Sequence, residues 1–426
     1  MDRNKFLIGT FGYSDKTLHD EEKFQDLIDF GTDYIINANA DKDLIALCEK
    51  HNIPLIASGR FPGWWGGDGE NAGTYHEKVK PEDVCGILEK DIDSPIIAGD
   101  YIVDEPNSKD FVAINKVMKE YNKFYSGKKM PFINLYPNYA SIPKNTDSEA
   151  VSQLGNASYL EHIEQYVNEI DCDYICFDFY PFTGRSYLSY VQNMDEIANT
   201  CRKSKRDMWV IIQTGAWTIE TLILEFQIRW QAYLSLAFGA KSIQHACYNK
   251  CWWNPLTSCV NLDGYKNLTY YYAQHVNREL HELGSTFMAY SYIGAFAAGD
   301  MGSTDNDMSV QLEAQNRRNA DRGGFAGIDA VKVDADAGVI VGCFTKNRGS
   351  GYAVMLVNCR NPRDIEASTK AILTVEPGQK VNVYVKGVPE EMTADENGKI
   401  VIGLASGEGV FVTLLRYCRV YSETIE

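Results

Sequence analysis

Short apolar runs alternate with amphipathic stretches along residues 6–284. Runs beginning near Phe6, Tyr34, Ile53, Pro95, Pro131, Tyr174, Met208 and Ser242 are apolar on successive residues, as strands covered on both faces must be. The stretches between them have helical spacing. Phe111, Ile114, Val117, Met118 and Tyr121 fall on one face of the fourth, and Tyr272, Val276, Leu280 and Leu283 on one face of the eighth. Asp41 stands where an N-cap of the second helix belongs. Eight strand-helix units predict an α/β fold, a (β/α)8 TIM barrel. A doubly wound open sheet is the runner-up, but Gly9-Thr10-Phe11-Gly12-Tyr13 after the first strand is not its glycine fingerprint.

After Gly284 the helical period is lost. From Ala330 onward, short alternating runs are separated by the turn signals Asn347-Arg348-Gly349-Ser350-Gly351, Asn361-Pro362, Pro377-Gly378 and Glu396-Asn397-Gly398. This pattern predicts a small C-terminal antiparallel β-sandwich. The expected division is a catalytic barrel over residues 1–290, then a bridge and sandwich over 291–426, with Ser285–Asp329 as the bridge.

Composition narrows the partners. The 426 residues supply a large core, with 45% hydrophobic and 12% aromatic side chains. The net charge of -17 argues against nucleic acid and anionic membranes. The N-terminus, Met1-Asp2-Arg3-Asn4-Lys5, lacks a long apolar segment with a basic flank, so neither a signal peptide nor a membrane span is expected. The 11 cysteines are scattered, mostly inside apolar runs, and read as small buried residues of a cytoplasmic protein. His245, Cys247, Cys251 and Cys259 form a cluster without zinc spacing, so neither a metal nor another cofactor is expected, and the oligomeric state is left open.

In a parallel barrel the loops after the strands build the site. The fourth run ends in Asp104-Glu105-Pro106. Two adjacent carboxylates where a buried strand surfaces are costly unless hydrogen-bonded or working; the plain alternative is Asp104 as a helix cap and Glu105 in solvent. Trp64 and Trp65 follow strand three, Trp217 follows strand seven, and Trp252 and Trp253 follow strand eight, which places five of the 7 tryptophans at one rim. Trp209 and Trp230 read as core. Indole rings beside carboxylates suit a carbohydrate, whose apolar face stacks while its hydroxyls hydrogen-bond. The same rim gathers Arg60, Asn134, Tyr136, Asn138, Asp178, Tyr180, Gln213, Gln244, His245, Tyr248 and Asn249.

Glycoside cleavage needs two carboxyls about the scissile bond. Glu105 is the expected acid/base, with Asp104 beside it to orient it or raise its pKa. The second carboxyl is open between Asp178, at the end of Tyr174-Ile175-Cys176-Phe177, and Glu220 or Glu225 beyond strand seven. An adjacent Asp-Glu also suits substrate-assisted cleavage, in which the aspartate orients an acetamido group and no protein nucleophile is needed. A barrel that binds sugar without turnover is a further alternative. An aldolase or lyase would need a lysine or metal cluster at the mouth, where Lys250 is the nearby lysine.

The chain resembles barrel glycoside hydrolases of the large retaining clan, especially bacterial β-galactosidase-like (family-42-like) proteins. The resemblance rests on Tyr101-Ile102-Val103-Asp104-Glu105-Pro106, Phe177-Asp178-Phe179-Tyr180-Pro181-Phe182, Ile211-Ile212-Gln213, Ile228-Arg229-Trp230-Gln231 and Leu236-Ala237-Phe238-Gly239-Ala240-Lys241-Ser242-Ile243. Further matches are Thr269-Tyr270-Tyr271, Val276-Asn277-Arg278-Glu279-Leu280, Tyr352-Ala353-Val354-Met355-Leu356-Val357-Asn358 and Leu404-Ala405-Ser406-Gly407-Glu408-Gly409. It implies a glycosidase whose acid/base follows strand four, at Glu105. The clan's Asn-Glu is Asp-Glu here, and Gln213 stands where its strand-seven glutamate would be.

Overall fold

The computed structural model describes every residue except 14–15, 17–18, 63, 66–70, 91, 144–151, 300–331, 336–337 and 415–426, and for 332–334 the backbone alone. Eight parallel strands form the barrel: β1 (Leu7–Phe11), β2 (Tyr34–Asn39), β3 (Leu55–Ser58), β4 (Ile97–Asp104), β5 (Met130–Asn134), β6 (Tyr174–Phe179), β7 (Asp207–Gln213) and β8 (Ser242–Ala246). Neighbours in sequence are neighbours in the sheet, and β1 pairs with β8. Closure between β5 and β6 rests on one bridge, Leu135 to Phe177, where Leu135 N–H donates to the Cys176 carbonyl over 2.9 Å.

Alternation along each strand separates two cores. Leu7, Tyr34, Ile36, Ile56, Phe132, Tyr174, Cys176, Trp209 and Ile211 fill the barrel interior, while Ile8, Ile35, Leu55, Ile133, Ile175, Phe177, Val210 and Ile212 face the helices. Those helices are α1 (Glu21–Asp29), α2 (Lys42–His51), the short α3 (Tyr75–Lys78) and α4 (Val84–Leu88), α5 (Phe111–Tyr125), α6 (Tyr159–Glu169), α7 (Tyr187–Ser204), α8 (Glu225–Ala237) and α9 (Leu268–Phe287). Asp41 caps α2 by accepting from Leu44 N–H at 3.0 Å. The expected faces of α5 and α9 are the buried ones, with Tyr272 partly covered. Among the described residues no helix is long and apolar enough to cross a membrane.

Beyond α9, the chain enters β9 (Tyr290–Ala298), inside the stretch expected to be a bridge; the bridge from 300 onward lies outside the described residues. β9 is an edge of a six-stranded antiparallel sheet with β11 (Val339–Lys346), β12 (Tyr352–Asn358), β14 (Lys380–Val385), β15 (Val388–Thr393) and β17 (Gly409–Leu414). A three-stranded sheet of β10 (Lys332–Ala335), β13 (Thr369–Thr374) and β16 (Lys399–Leu404) completes the sandwich. All four expected turns separate strands as read. A fifth went unread: Lys386 and Gly387, with φ of 49° and 80°, make the two-residue turn joining β14 to β15.

The larger sheet has two buried faces. Val339, Val341 and Cys343 point into the sandwich, whereas Ile340, Phe344, Met355 and Phe411 join the core of the helices. α8 is therefore buried on nearly every side, between barrel and sandwich. Gly342 permits this approach, because a Cβ there would lie 2.0 Å from the Ala237 carbonyl oxygen.

Candidate functional site

The strand ends of β4, β5 and β6 bring three carboxyl groups together inside the barrel mouth. Asp178 follows inward-facing Cys176 by two residues, so strand alternation turns it inward as well. β4 reaches the same point by an irregularity. Its register shifts between Tyr101 and Val103, so that Ile102 and Val103 both pack on the helix side and Asp104 returns inward. Tyr101 O–H donates to Asp104 Oδ1 at 2.8 Å. The Asn134 amide nitrogen bridges the aspartates, donating to Asp104 Oδ1 at 3.1 Å and Asp178 Oδ1 at 2.7 Å.

Glu105 adopts φ 46°, a left-handed conformation unusual for a residue with a side chain. Its N–H is held by the Asn134 carbonyl at 2.9 Å, and its Oε2 accepts from Trp65 Nε1 at 2.6 Å. Glu105 also hydrogen-bonds Asp178. Burial, then the charges of Asp178 and Asp104, push the Glu105 pKa well up. Burial and the charge of Asp104 push Asp178 up to about 7, against hydrogen bonds from Asn134 and Glu105. Burial also raises Asp104, opposed by Tyr101 and Asn134. The arrangement therefore stores a proton on Glu105, which donates to the Asp178 carboxylate.

Two cavities meet at this group and share Trp65, Glu105, Asp178, Tyr180 and Trp252. One is aromatic, completed by Tyr136, Tyr139, Trp217, Trp253 and Arg185 among others. The other is polar, with Asn37, Ser58, Asp104, Asn134, Asn249 and Lys250 in its lining. The rings touch in a chain: Trp217 on Trp253 at 6.0 Å between centroids, Trp253 on Tyr180 at 4.7 Å, and Trp252 on Phe11 at 6.1 Å. Trp65, Trp217 and Trp252 remain 48%, 55% and 51% exposed, an apolar surface that a stacked ligand would cover.

Of the residues expected at the site, Glu105, Asp104, Asp178, Trp65, Asn134, Tyr136, Tyr180, Trp217 and Trp252 line these two cavities. Nine other expected residues line neither cavity, among them Asn138, whose amide nitrogen donates to the Ser189 carbonyl at 2.9 Å, and Gln244, whose amide nitrogen donates to the Tyr34 hydroxyl at 2.7 Å. Glu225 is in the outer helix layer on α8, bound to Arg229 Nη2 at 2.6 Å and His275 at 3.1 Å. Burial pulls its pKa up, but those hydrogen bonds outweigh it and leave it lowered. Glu220, the other carboxyl considered, is exposed and lines neither cavity. Arg60 points away, buried, and pairs with buried Asp100 at 3.3 Å. Trp64 packs edge-on against Tyr75 at 5.4 Å and is buried. The Gln213 side chain ties loops together, accepting from Phe182 N–H at 2.8 Å and donating to the Gly215 carbonyl at 2.9 Å.

His245 falls on the opposite parity from inward-facing Ala246, and so bonds Asn277 on α9 at 2.7 Å; burial lowers its pKa to about 4 despite that bond. Tyr248 is buried among Tyr13, Phe30 and Tyr270. Of the residues passed over, Tyr101 was within reach of sequence reasoning, as an aromatic three positions before Asp104. Tyr139, Arg185, Asn37 and Ser58 come from loops or strand ends whose approach no pattern announces.

No family model matches the chain, and no curated protein matches it. Solved structures similar to it include a putative α-L-fucosidase from Bacteroides thetaiotaomicron, with 16% identity and a TM-score of 0.43 over 66% of this chain and 94% of that one. A monomeric β-xylosidase from Caulobacter crescentus gives 9% identity and a TM-score of 0.42 over 98% of this chain and 97% of that one. Xylanase 10B from Thermotoga maritima gives 12% and 0.42 over 66% and 97%.

Proposed function

We propose that the protein is a glycoside hydrolase with Glu105 as its general acid. The observation that carries this reading is Glu105 buried beside Asp178 and Asp104, where burial and then their charges push its pKa well up, in a cavity walled by tryptophans at the C-terminal mouth of a barrel. Glu105 gives its proton to the glycosidic oxygen as the bond from that oxygen to the anomeric carbon breaks. The Asp178 carboxylate faces the positive charge left on that carbon, and water supplies the hydroxyl of the product. Glu105 is paired directly with Asp178. A bound substrate therefore takes Asp178's place as the acceptor of the Glu105 proton.

A second reading is substrate-assisted cleavage of an N-acetylated sugar. Asp104 favours it, since Tyr101 and Asn134 fix its carboxylate next to the acid, and no carboxylate occupies the end of β7. Assaying the unmodified chain against aryl xylosides, galactosides, fucosides and N-acetylglucosaminides tests both readings. Turnover of the N-acetylglucosaminide alone selects the second. If none is hydrolysed while sugars bind, the protein is a sugar-binding barrel and the enzyme reading is lost.

The pH profile is a separate expectation. Activity needs Asp178 ionised and Glu105 protonated, so kcat/KM rises with pH through the pair's lower titration, near 7, and falls through the upper. Asp104→Asn removes a negative charge and moves the rising limb to lower pH. A maximum near pH 4–5, where ordinary carboxylates titrate, would contradict this assignment.

A further inference from the structure

Arg185 is the one cation lining the aromatic cavity among the described residues, and the proposed reaction gives it no task. The loop from β6 to α7 fixes its place. Phe182 N–H donates to the Gln213 side chain at 2.8 Å, Thr183 Oγ1 to the Tyr180 carbonyl at 2.7 Å, and Gly184 turns the chain with φ 83°. Ser186 follows as the N-cap of α7, accepting from Ser189 N–H at 3.4 Å. The guanidinium lies 4.1 Å from the centre of the Tyr139 ring, which belongs to the same lining. Stacking occupies its flat face and leaves its N–H edge free. Among the described residues Arg185 has no hydrogen bond or ion pair besides this ring contact. It is exposed, so a ligand entering the cavity can reach it.

Charge makes this arginine informative. The chain has a net charge of -17, yet no carboxylate pairs with Arg185. A neutral sugar makes little use of it, because indoles cover the apolar face of a sugar and the weaker polar groups answer its hydroxyls. A planar anion does use it. The guanidinium fork matches a carboxylate or a sulfate through two parallel hydrogen bonds, each about twice as strong as a neutral one. The N-terminus of α7, immediately after Arg185, favours negative charge at the same place. Asp104 lines only the polar cavity, which leaves Asp178 as the aspartate that an anion in the aromatic one would meet, and Arg185 offsets it.

Resting on the glycosidase reading above, we propose that the substrate is an acidic sugar and that Arg185 holds its anionic group, a uronate carboxylate or a sulfate ester, in the aromatic cavity. The exposed indoles of Trp65, Trp217 and Trp252 stack on the ring, and the anion on Arg185 fixes which way the ring faces. Stacking alone tolerates many sugars, so the discrimination lies with the arginine. Arg185 acts on the part of the substrate away from the bond that breaks.

The test reads binding by calorimetry with 4-nitrophenyl thioglycosides, whose sulfur resists hydrolysis. Thioglucuronide and thiogalacturonide are compared with the thioglucoside, the thiogalactoside and their 6-sulfates. Expected is a Kd lower by about tenfold or more for one acidic class than for its neutral parent. A preference for the uronates names the carboxylate; a preference for the 6-sulfates names the sulfate. Arg185→Met should abolish the preference and leave neutral sugars unaffected. Arg185→Lys, which keeps the charge without the fork, should recover part of it. Melting curves check the fold, and if Arg185→Met fails to fold, Arg185→Gln is held to the same outcomes. No binding of any acidic sugar, no preference in the unmodified chain, a preference unchanged in Arg185→Met, or an equal loss for neutral and acidic sugars overturns the assignment. Hydrolysis of the matching O-glycosides is scored separately. Acidic binding that Arg185→Met removes, without turnover of any glycoside, supports the anion site although the hydrolase reading has failed. Turnover of neutral glycosides with no acidic preference keeps the hydrolase and overturns the anion site.

Discussion

Glu105→Gln is expected to lower kcat/KM on alkyl glycosides by about 10²–10⁴-fold, the usual worth of a positioned acid. The substitution is mild in every other respect. Because Glu105 is held protonated, a neutral amide replaces a neutral acid, and no charge is added or removed. The amide oxygen still accepts from Trp65 Nε1, and the amide nitrogen still donates to Asp178. Sugar binding should therefore survive, measured by quenching of the cavity tryptophans. The role of the proton is isolated by the leaving group. A dinitrophenyl glycoside departs without protonation and should lose far less rate than an alkyl one. Equal losses on both substrates would remove Glu105 from the acid role.

The second large effect concerns stability. Arg229 donates to Glu279 through Nε at 3.0 Å and Nη2 at 2.7 Å, and to Glu225 through Nη2 at 2.6 Å. Arg229 and Glu279 are nearly buried between α8 and α9, with side chains 9% and 10% exposed. Arg229→Ala strands Glu279 without a cation, at a cost of about 3–5 kcal/mol. Thermal melting should show a fall in Tm of roughly 3–8 °C. Glu225→Ala removes the more exposed partner and should cost about 1 kcal/mol or less, since Arg229 keeps Glu279. The pair of variants also checks the placement of Glu225 outside the site. Glu225→Ala should retain full turnover, and a folded variant without activity would return Glu225 to the catalytic candidates.

Both variants bear on how much the chain discloses before it is folded. The barrel was legible because parallel strands covered on both faces must be apolar at successive positions, a demand that leaves its mark on short segments. The same holds for the sandwich, where four turn signals stand between the strands they separate. Asp104, Glu105 and Asp178 were legible for a related reason: a carboxylate closing an apolar strand has little purpose other than chemistry or capping. Glu225 was misplaced because a helix residue near a strand end in sequence can still face the outer layer, and only the partners Arg229 and His275 reveal this. His245 was misplaced because its distance along the chain was weighed without the alternation that turns it outward.

Sequence by itself determined the architecture, the rim on which the tryptophans gather and the identity of the acidic doublet. Each of these depends on local periodicity, which a linear chain carries openly. Tertiary structure alone decided that Asp178 rather than Glu225 stands beside Glu105, and that a shift in β4 register turns Asp104 inward. These outcomes depend on which strand ends meet across the barrel and on the proton they share, and distances between remote segments are not written in the order of residues.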